Sequence, residues 1–378
     1  MKKVILMPDS FKGTMSSSEI CAIMKEKILE HYPDCIIESI PVADGGEGTV
    51  DCFLEAMGGE KIRTDCSGPY LETMKSFYAI VDGGETAIIE MAAAAGLPMV
   101  AGYEDPRYTT TFGVGRLIRK AVKAGCKKVV VGLGGSCTND MGVGAAAGAG
   151  AKFYDAEGTP FIPTGATLKN IARMDLTELK ANIEGAEIVA MCDIDNPLYG
   201  ESGAAYVFAP QKGADAEMVK LLDENLRAGA EIVKRELGVD VANIPGAGAA
   251  GGMGAGMVAF FGAELKPGIE TVLDTVGFEK IAEDADFIFT GEGKIDNQSL
   301  RGKVVIGIAQ RAKKLGVPVI AVVGDIGDNM EPAYDIGVSA IYSINRVAVE
   351  FPKAKLRSKS DLSLTVDTIM RTLKLGAR

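Results

Sequence analysis

A chain of 378 residues with 51 acidic against 40 basic side chains, a formal charge of −11, is longer than one hydrophobic core usually organises. It is also too acidic to favour non-specific association with nucleic acid or anionic lipid. Apolar residues at 47% and charged residues at 24% exclude a disordered chain, so the expectation is two globular domains and a small-molecule ligand. The single histidine, His31, excludes His-rich metal sites and leaves any His-based triad only that residue. The seven cysteines, odd in number and without a Cys-x-x-Cys pair, read as reduced thiols of a cytoplasmic protein.

In chain order, the apolar run Val4-Ile5-Leu6-Met7 stops at Pro8-Asp9, too soon for the core of a signal peptide, and reads as a short buried strand. Ser16 with Glu19 is a capping box opening a helix that carries Ile20, Ile23, Met24 and Ile28 on one face. Residues 36 to 42 read as a second strand. A helix from near Gly45 should carry Val50, Phe53, Leu54 and Met57 inward and end at Gly58-Gly59. Residues 75 to 81 and 86 to 91, joined by Asp82-Gly83-Gly84-Glu85, read as a hairpin. Helix 113 to 124, strand 128 to 133 and a long amphipathic helix from 215 to 237 follow. Residues 241 to 263 carry no charge, but their glycines and alanines make the stretch too weakly apolar for a membrane span. Strand 287 to 289, helix 303 to 315 stopped by Gly316, and strands 317 to 323 and 340 to 344 then repeat the strand–helix–strand grammar of the N-terminus. The expected fold is α/β in two domains. One is a discontinuous Rossmann-like parallel-sheet domain from residues 1–66 and 285–378, and the other an inserted mixed α/β domain from residues 67–284.

Glycine concentrates just past the strands, where open α/β sheets bind ligands and helix N-termini meet anions. Asp9-Ser10-Phe11-Lys12-Gly13-Thr14 follows the first strand, and Lys12 adds a full charge there; an ordinary turn would leave that lysine solvated. Ala43-Asp44-Gly45-Gly46-Glu47-Gly48-Thr49 takes the equivalent place after the second strand. Its glycines allow close backbone approach, and its acids can hold a cation or accept a proton. Gly134-Gly135-Ser136, after Val129-Val130-Val131, can form a phosphate nest, with Thr138, Asn139 and Asp140 offering hydroxyl, amide and carboxylate within one turn. Asp193 sits at a strand end, as does a carboxylate that orients a hydroxyl or ligates magnesium. Lys212 supplies another cation, and Thr290-Gly291-Glu292-Gly293-Lys294-Ile295-Asp296 is a fourth loop of this kind. Two familiar patterns carry little: Gly246 to Gly251 has dinucleotide spacing but follows Ile244-Pro245 rather than a strand, and no P-loop sequence occurs. His31, late in the first helix, reads as a surface residue.

Taken together, DSFKG at 9 to 13, PVADGGEGT at 41 to 49, GLGGSCTND at 132 to 140, CDIDNPLYG at 192 to 200, APQKGA at 209 to 214, GAGAAGG at 246 to 252 and GEGKID at 291 to 296 resemble the bacterial glycerate kinase family. The motifs run in the family's order over nearly the whole chain. The resemblance implies phosphorylation of D-glycerate by ATP with Mg2+, in a cleft between two α/β domains, giving 2-phospho-D-glycerate in this branch, with 3-phosphoglycerate the alternative product. Such a transfer needs cations around the phosphates, magnesium on carboxylates and an acceptor for the attacking hydroxyl. On that implication Lys12, Asp193 and Asp296 are the catalytic candidates, with Asp193 or Asp296 the magnesium ligand. Asp9, Ser10, Asp44, Gly45, Gly46, Gly134, Gly135, Ser136, Asn139, Asp140, Lys212 and Lys294 would bind substrate and phosphates. Which aspartate serves base and which serves metal stays open, as does oligomeric state. The competing readings are a non-catalytic sensor of an acidic metabolite using the same loops, and a dinucleotide oxidoreductase resting on residues 246 to 251. No nucleic-acid or membrane partner is expected.

Overall fold

Val4, Ile5, Leu6 and Met7 are fully buried, and burial of both faces explains why the run shows no alternation of polar and apolar residues. They form the strand Lys3–Pro8 of a five-stranded parallel sheet. The structure, a computed structural model, describes all residues except 44, 298, 377 and 378. Along the sheet the strands run Val338–Ser343, Val319–Val323, Phe287–Gly291, Lys3–Pro8 and Ile36–Ser39. All four pairings are parallel, among them Ile5 opposite Ile288 and Ile5 opposite Glu38. From Lys3–Pro8 the chain winds outward one way to Ile36–Ser39, and from Phe287–Gly291 it winds outward the other way. The order therefore reverses between these two neighbouring strands, which makes their carboxyl ends a topological switch point.

The helix Ser17–His31 starts at the expected capping box: Ser16 Oγ accepts from Glu19 N–H, and the Glu19 carboxylate accepts from Ser16 N–H at 2.9 Å. Its buried residues Ile20, Met24 and Ile28 share a core with Leu362, Val366, Ile369 and Met370 of the C-terminal helix Phe351–Gly376, an element the sequence reading does not include. His31 Nε2 lies 2.7 Å from Asp367 Oδ1 of that helix, which gives the lone histidine a structural partner. Helices Gly268–Val276 and Phe278–Ala282 pack with Val304–Leu315. The second strand ends at Ser39, not residue 42, and the helix after it begins at Thr49.

This sheet and its helices form one compact unit, residues 1–43, 51–57 and 267–378; residues 44–50 and 58–266 form another. The chain changes unit at different places from those the sequence suggests. The expected cut after residue 66 falls inside the strand Glu60–Ser67, which is tied by antiparallel pairing to Thr73–Val81 of the second unit. The cut before residue 285 would detach the two helices that pack on Val304–Leu315.

The second unit is built on a six-stranded mixed sheet in the order Glu264–Lys266, Glu187–Met191, Lys128–Gly132, Thr86–Glu90, Thr73–Val81 and Glu60–Ser67. The first four strands are parallel, and the last three are joined antiparallel; the expected hairpin is present with Ala79 opposite Ile88. Small residues let helix Phe112–Lys123 lie directly on helix Val143–Ala149: a methyl added at Gly115 would stand 1.8 Å from the Ala145 carbonyl oxygen. The uncharged stretch 241 to 263 contributes the helix Ala249–Phe261, whose Met253, Met257, Phe260 and Phe261 are core residues. No helix among the described residues is long and apolar enough to cross a membrane.

Candidate active site

In the first unit the sequence motifs DSFKG and GEGKID stand at the switch point because their strands are neighbours. Asp9 N–H donates to Gly291 C=O at 2.8 Å, and Thr290 Oγ1 donates to Met7 C=O at 2.9 Å. The second loop is held from its other side by Gly324 N–H on Glu292 C=O and Asp325 N–H on Gly293 C=O, both at 3.1 Å. Phe11, 3% exposed, anchors the turn that follows Asp9, and reciprocal backbone bonds with Met15 at 2.9 and 3.1 Å close it. Lys12 is exposed on this hydrogen-bonded turn. Ser10 N–H donates to Asp9 Oδ1 at 2.6 Å. Lys294 is exposed on the short strand Lys294–Ile295, and half-buried Asp296 is tied by its backbone to Ser299 Oγ at 3.2 Å and Ser299 N–H at 2.8 Å.

Among these loops lies a residue the sequence reading passes over, Glu292. Its side chain is 8% exposed, and its Oε1 is buried with no hydrogen-bond partner. Burial pushes its carboxyl up to about 7; the charges of Asp9 and Asp296 push the same way, and a hydrogen bond from Ser299 and the charge of Lys303 oppose them. Its position two residues before Lys294 is visible in the sequence. Its burial is not, because burial is settled only when the strands Lys3–Pro8 and Phe287–Gly291 come together.

In the second unit the glycines of PVADGGEGT and GLGGSCTND pack on each other. Gly134 N–H donates to Gly45 C=O at 3.0 Å, and a methyl added at Gly132 would lie 2.3 Å from the same oxygen. A methyl at Gly134 would lie 2.6 Å from Gly46 Cα, so both loops need glycine to meet over the strand ends. Asp44 lies outside the described residues. Gly135 is exposed, and Ser136 is buried with its Oγ accepting from Lys212 Nζ at 2.8 Å. Lys212 Nζ also donates to Thr138 C=O at 2.6 Å and is 2% exposed; desolvation lowers its pKa to about 8. Lys212 is therefore an internal strut of the glycine loop and not a cation open to solvent.

Asp140 is fully buried and its carboxylate accepts from Thr111 N–H, Thr111 Oγ1 and Gly142 N–H at 2.8, 2.9 and 3.1 Å, so it ties the loop to the start of helix Phe112–Lys123. Asn139, also fully buried, has neither amide atom hydrogen-bonded, and the Thr138 hydroxyl is likewise unpartnered. Burial pushes the Cys137 thiol up to about 12, which removes it as a nucleophile. Asp193 stands exposed just past the strand Glu187–Met191. Among the described residues no three carboxylate, thiol or imidazole groups gather into a metal-binding set.

The model of the Glycerate kinase family matches residues 4–374. A glycerate kinase of Bacillus cereus is 41% identical over 99% of this chain and 99% of its own. A glycerate 2-kinase of Escherichia coli is 40% identical over 100% of this chain and 99% of its own. A crystal structure from Salmonella typhimurium ascribed to glycerate kinase 2 superposes with a TM-score of 0.88 at 38% identity, covering 100% of this chain and 99% of the other.

Proposed function

The chain belongs to the glycerate kinase family, and on that footing we propose that it transfers the γ-phosphoryl group of ATP to D-glycerate, giving 2-phospho-D-glycerate and ADP. The observation that carries the reading is the pair of loops at the switch point of the parallel sheet. There a lysine on a hydrogen-bonded turn and three acidic side chains stand where open α/β sheets bind their ligands. The full-length likeness to a glycerate 2-kinase supports the 2-phosphate over the 3-phosphate.

Phosphoryl transfer asks a protein mainly for positioning and charge neutralisation. Lys12 supplies a point charge for a phosphate or for the glycerate carboxylate, with Asp9 and Ser10 shaping the turn beneath it. Asp296 orients the attacking hydroxyl, and exposed Lys294 adds positive potential. In the second unit exposed Gly135 offers backbone to an anionic ligand; Gly134 N–H is taken by Gly45 C=O, so Gly45, Gly46 and Gly134 shape the loop, and Lys212 and Asp140 hold it in place. The unpartnered amide of Asn139 is a polar group in search of a ligand or a water.

Magnesium, when bound, neutralises charge on the transferring phosphates. Mg2+ keeps several waters and takes one or two carboxylates beside the substrate phosphates, a requirement that an exposed carboxylate at a strand end would meet. Asp193, exposed past its strand, is the side chain we assign to it.

The test is coupled ADP release with ATP, magnesium and D-glycerate, followed by 31P and 13C NMR of the product. Glycerate-dependent turnover to a product whose 31P resonance is a doublet, split by the single proton on C2, supports the reading. A triplet, split by the pair of protons on C3, transfers it to the 3-phosphate, and tight glycerate binding without turnover makes the protein a sensor.

A further inference from the structure

We propose that Glu292 is the proton acceptor for the attacking hydroxyl, a catalytic role resting on the glycerate kinase reading above. In the transfer, the oxygen of the glycerate hydroxyl forms a bond to the γ-phosphorus as its proton passes to a Glu292 carboxylate oxygen. The bond from phosphorus to the β,γ-bridging oxygen breaks with its electron pair leaving on ADP, and neutral Glu292 later returns the proton to water.

Three observations single out Glu292 among the acids of the switch point. Its Oε1 is buried and without a partner, an arrangement that costs free energy unless a ligand donor completes it. It follows directly on the strand Phe287–Gly291, the strand that with Lys3–Pro8 defines the reversal of sheet order. Its backbone is pinned by Gly324 N–H at 3.1 Å, so the carboxyl is carried on a fixed frame.

The charged groups around it are Asp9 beyond the first strand, Asp296 on its own loop and Lys303 at the cap of helix Val304–Leu315, with the Ser299 hydroxyl hydrogen-bonded to it. Burial, reinforced by the two acids, outweighs the Ser299 hydrogen bond and the one lysine and pushes the carboxyl up to about 7, where a general base combines availability with basicity.

The experiment is the pH dependence of steady-state turnover from pH 5.5 to 9 for the wild-type protein, Glu292→Gln and Glu292→Asp, with ATP and D-glycerate varied separately. Expected for the wild type is an ascending limb in kcat/KM for glycerate with a midpoint near 7. Glu292→Gln, of the same shape, should lose at least about 100-fold in kcat and the limb with it, while KM for ATP moves less than about threefold. Glu292→Asp should keep part of the turnover and keep the limb. Retention of the limb in Glu292→Gln, turnover within about tenfold of wild type, or a wild-type rate that falls as pH rises through 7 overturns the assignment. Should Glu292→Gln not fold, the wild-type profile and Glu292→Asp decide. A folded wild-type protein with no glycerate-dependent turnover at any pH fails the kinase reading and takes the inference with it; normal wild-type turnover beside an active Glu292→Gln fails the inference alone.

Discussion

Lys12 rides on a turn whose neighbouring Phe11 is locked in the core, so the backbone that carries its charge is already ordered. A lysine acting as a point charge tolerates arginine partly and methionine hardly at all, since methionine keeps the stem and loses the charge. Lys12→Met is expected to lose at least about 30-fold in kcat/KM, roughly 2 kcal/mol of transition-state stabilisation, with Lys12→Arg between it and wild type. Steady-state kinetics check this, and wild-type constants in Lys12→Met would return the residue to the solvated surface. Asp193→Asn and Asp296→Asn should each cost about 100-fold in kcat, roughly 3 kcal/mol, and added magnesium should partly rescue only Asp193→Asn. Rescue of Asp296→Asn instead would exchange the two roles.

Glu292 also links stability to pH. Its folded value of about 7 lies above the ordinary 4.5, so the folded protein holds a proton that the unfolded chain gives up. That contribution is complete below about 4.5 and is lost as pH rises through 7. Glu292→Gln, which never ionises, should therefore match wild type near pH 4.5 and melt higher at pH 8, by up to about 3 kcal/mol of stability. Scanning calorimetry at the two pH values measures it. An equal difference at both would mean that the carboxyl titrates alike in the folded and unfolded states.

At the scale of elements, the same device recurs in the second unit: backbone is brought against backbone by removing side chains. Helix Phe112–Lys123 and helix Val143–Ala149 meet at Gly115, and the Asp140 carboxylate, held by Thr111 at the head of the first helix, fixes the glycine loop to that pair. Intrinsic helix propensity alone would make Gly115→Ala stabilising by about 1 kcal/mol. The added methyl meets a carbonyl oxygen at 1.8 Å, and backbone cannot step aside as a side chain can. The variant should therefore be less stable by about 1–3 kcal/mol, read as a lower melting temperature. A rise in melting temperature would show that the helices can separate without loss.

At the scale of the whole molecule, charge and architecture point the same way. A chain at −11 repels polyanions, so no retardation of duplex DNA is expected in a gel-shift assay at physiological salt. A saturable shift would demand a basic surface that the overall charge conceals. The discontinuous sheet makes the two ends of the chain depend on each other, since Lys3–Pro8 has its neighbours Phe287–Gly291 and Ile36–Ser39 from opposite parts of the sequence.

Neighbours along the chain were enough to set part of this structure. The buried run from Val4 to Met7, the capping box at Ser16, the hairpin before Glu90 and the glycine loops past the strands are all set by local propensity, periodicity and turn chemistry. Motif order was enough for the family as well, because seven spaced segments constrain one another. Tertiary structure alone decided the order of the strands and with it the switch point, since Thr290 Oγ1 finds Met7 C=O across 283 residues and no local rule ranks such partners. It likewise decided that Gly45 packs on Gly132, that Lys212 is a buried strut where its sequence reads as an open cation, and that Glu292 is buried with an unpartnered oxygen. Desolvation separates these residues from others of their type, and it is the work of chain segments that meet only when the fold is complete.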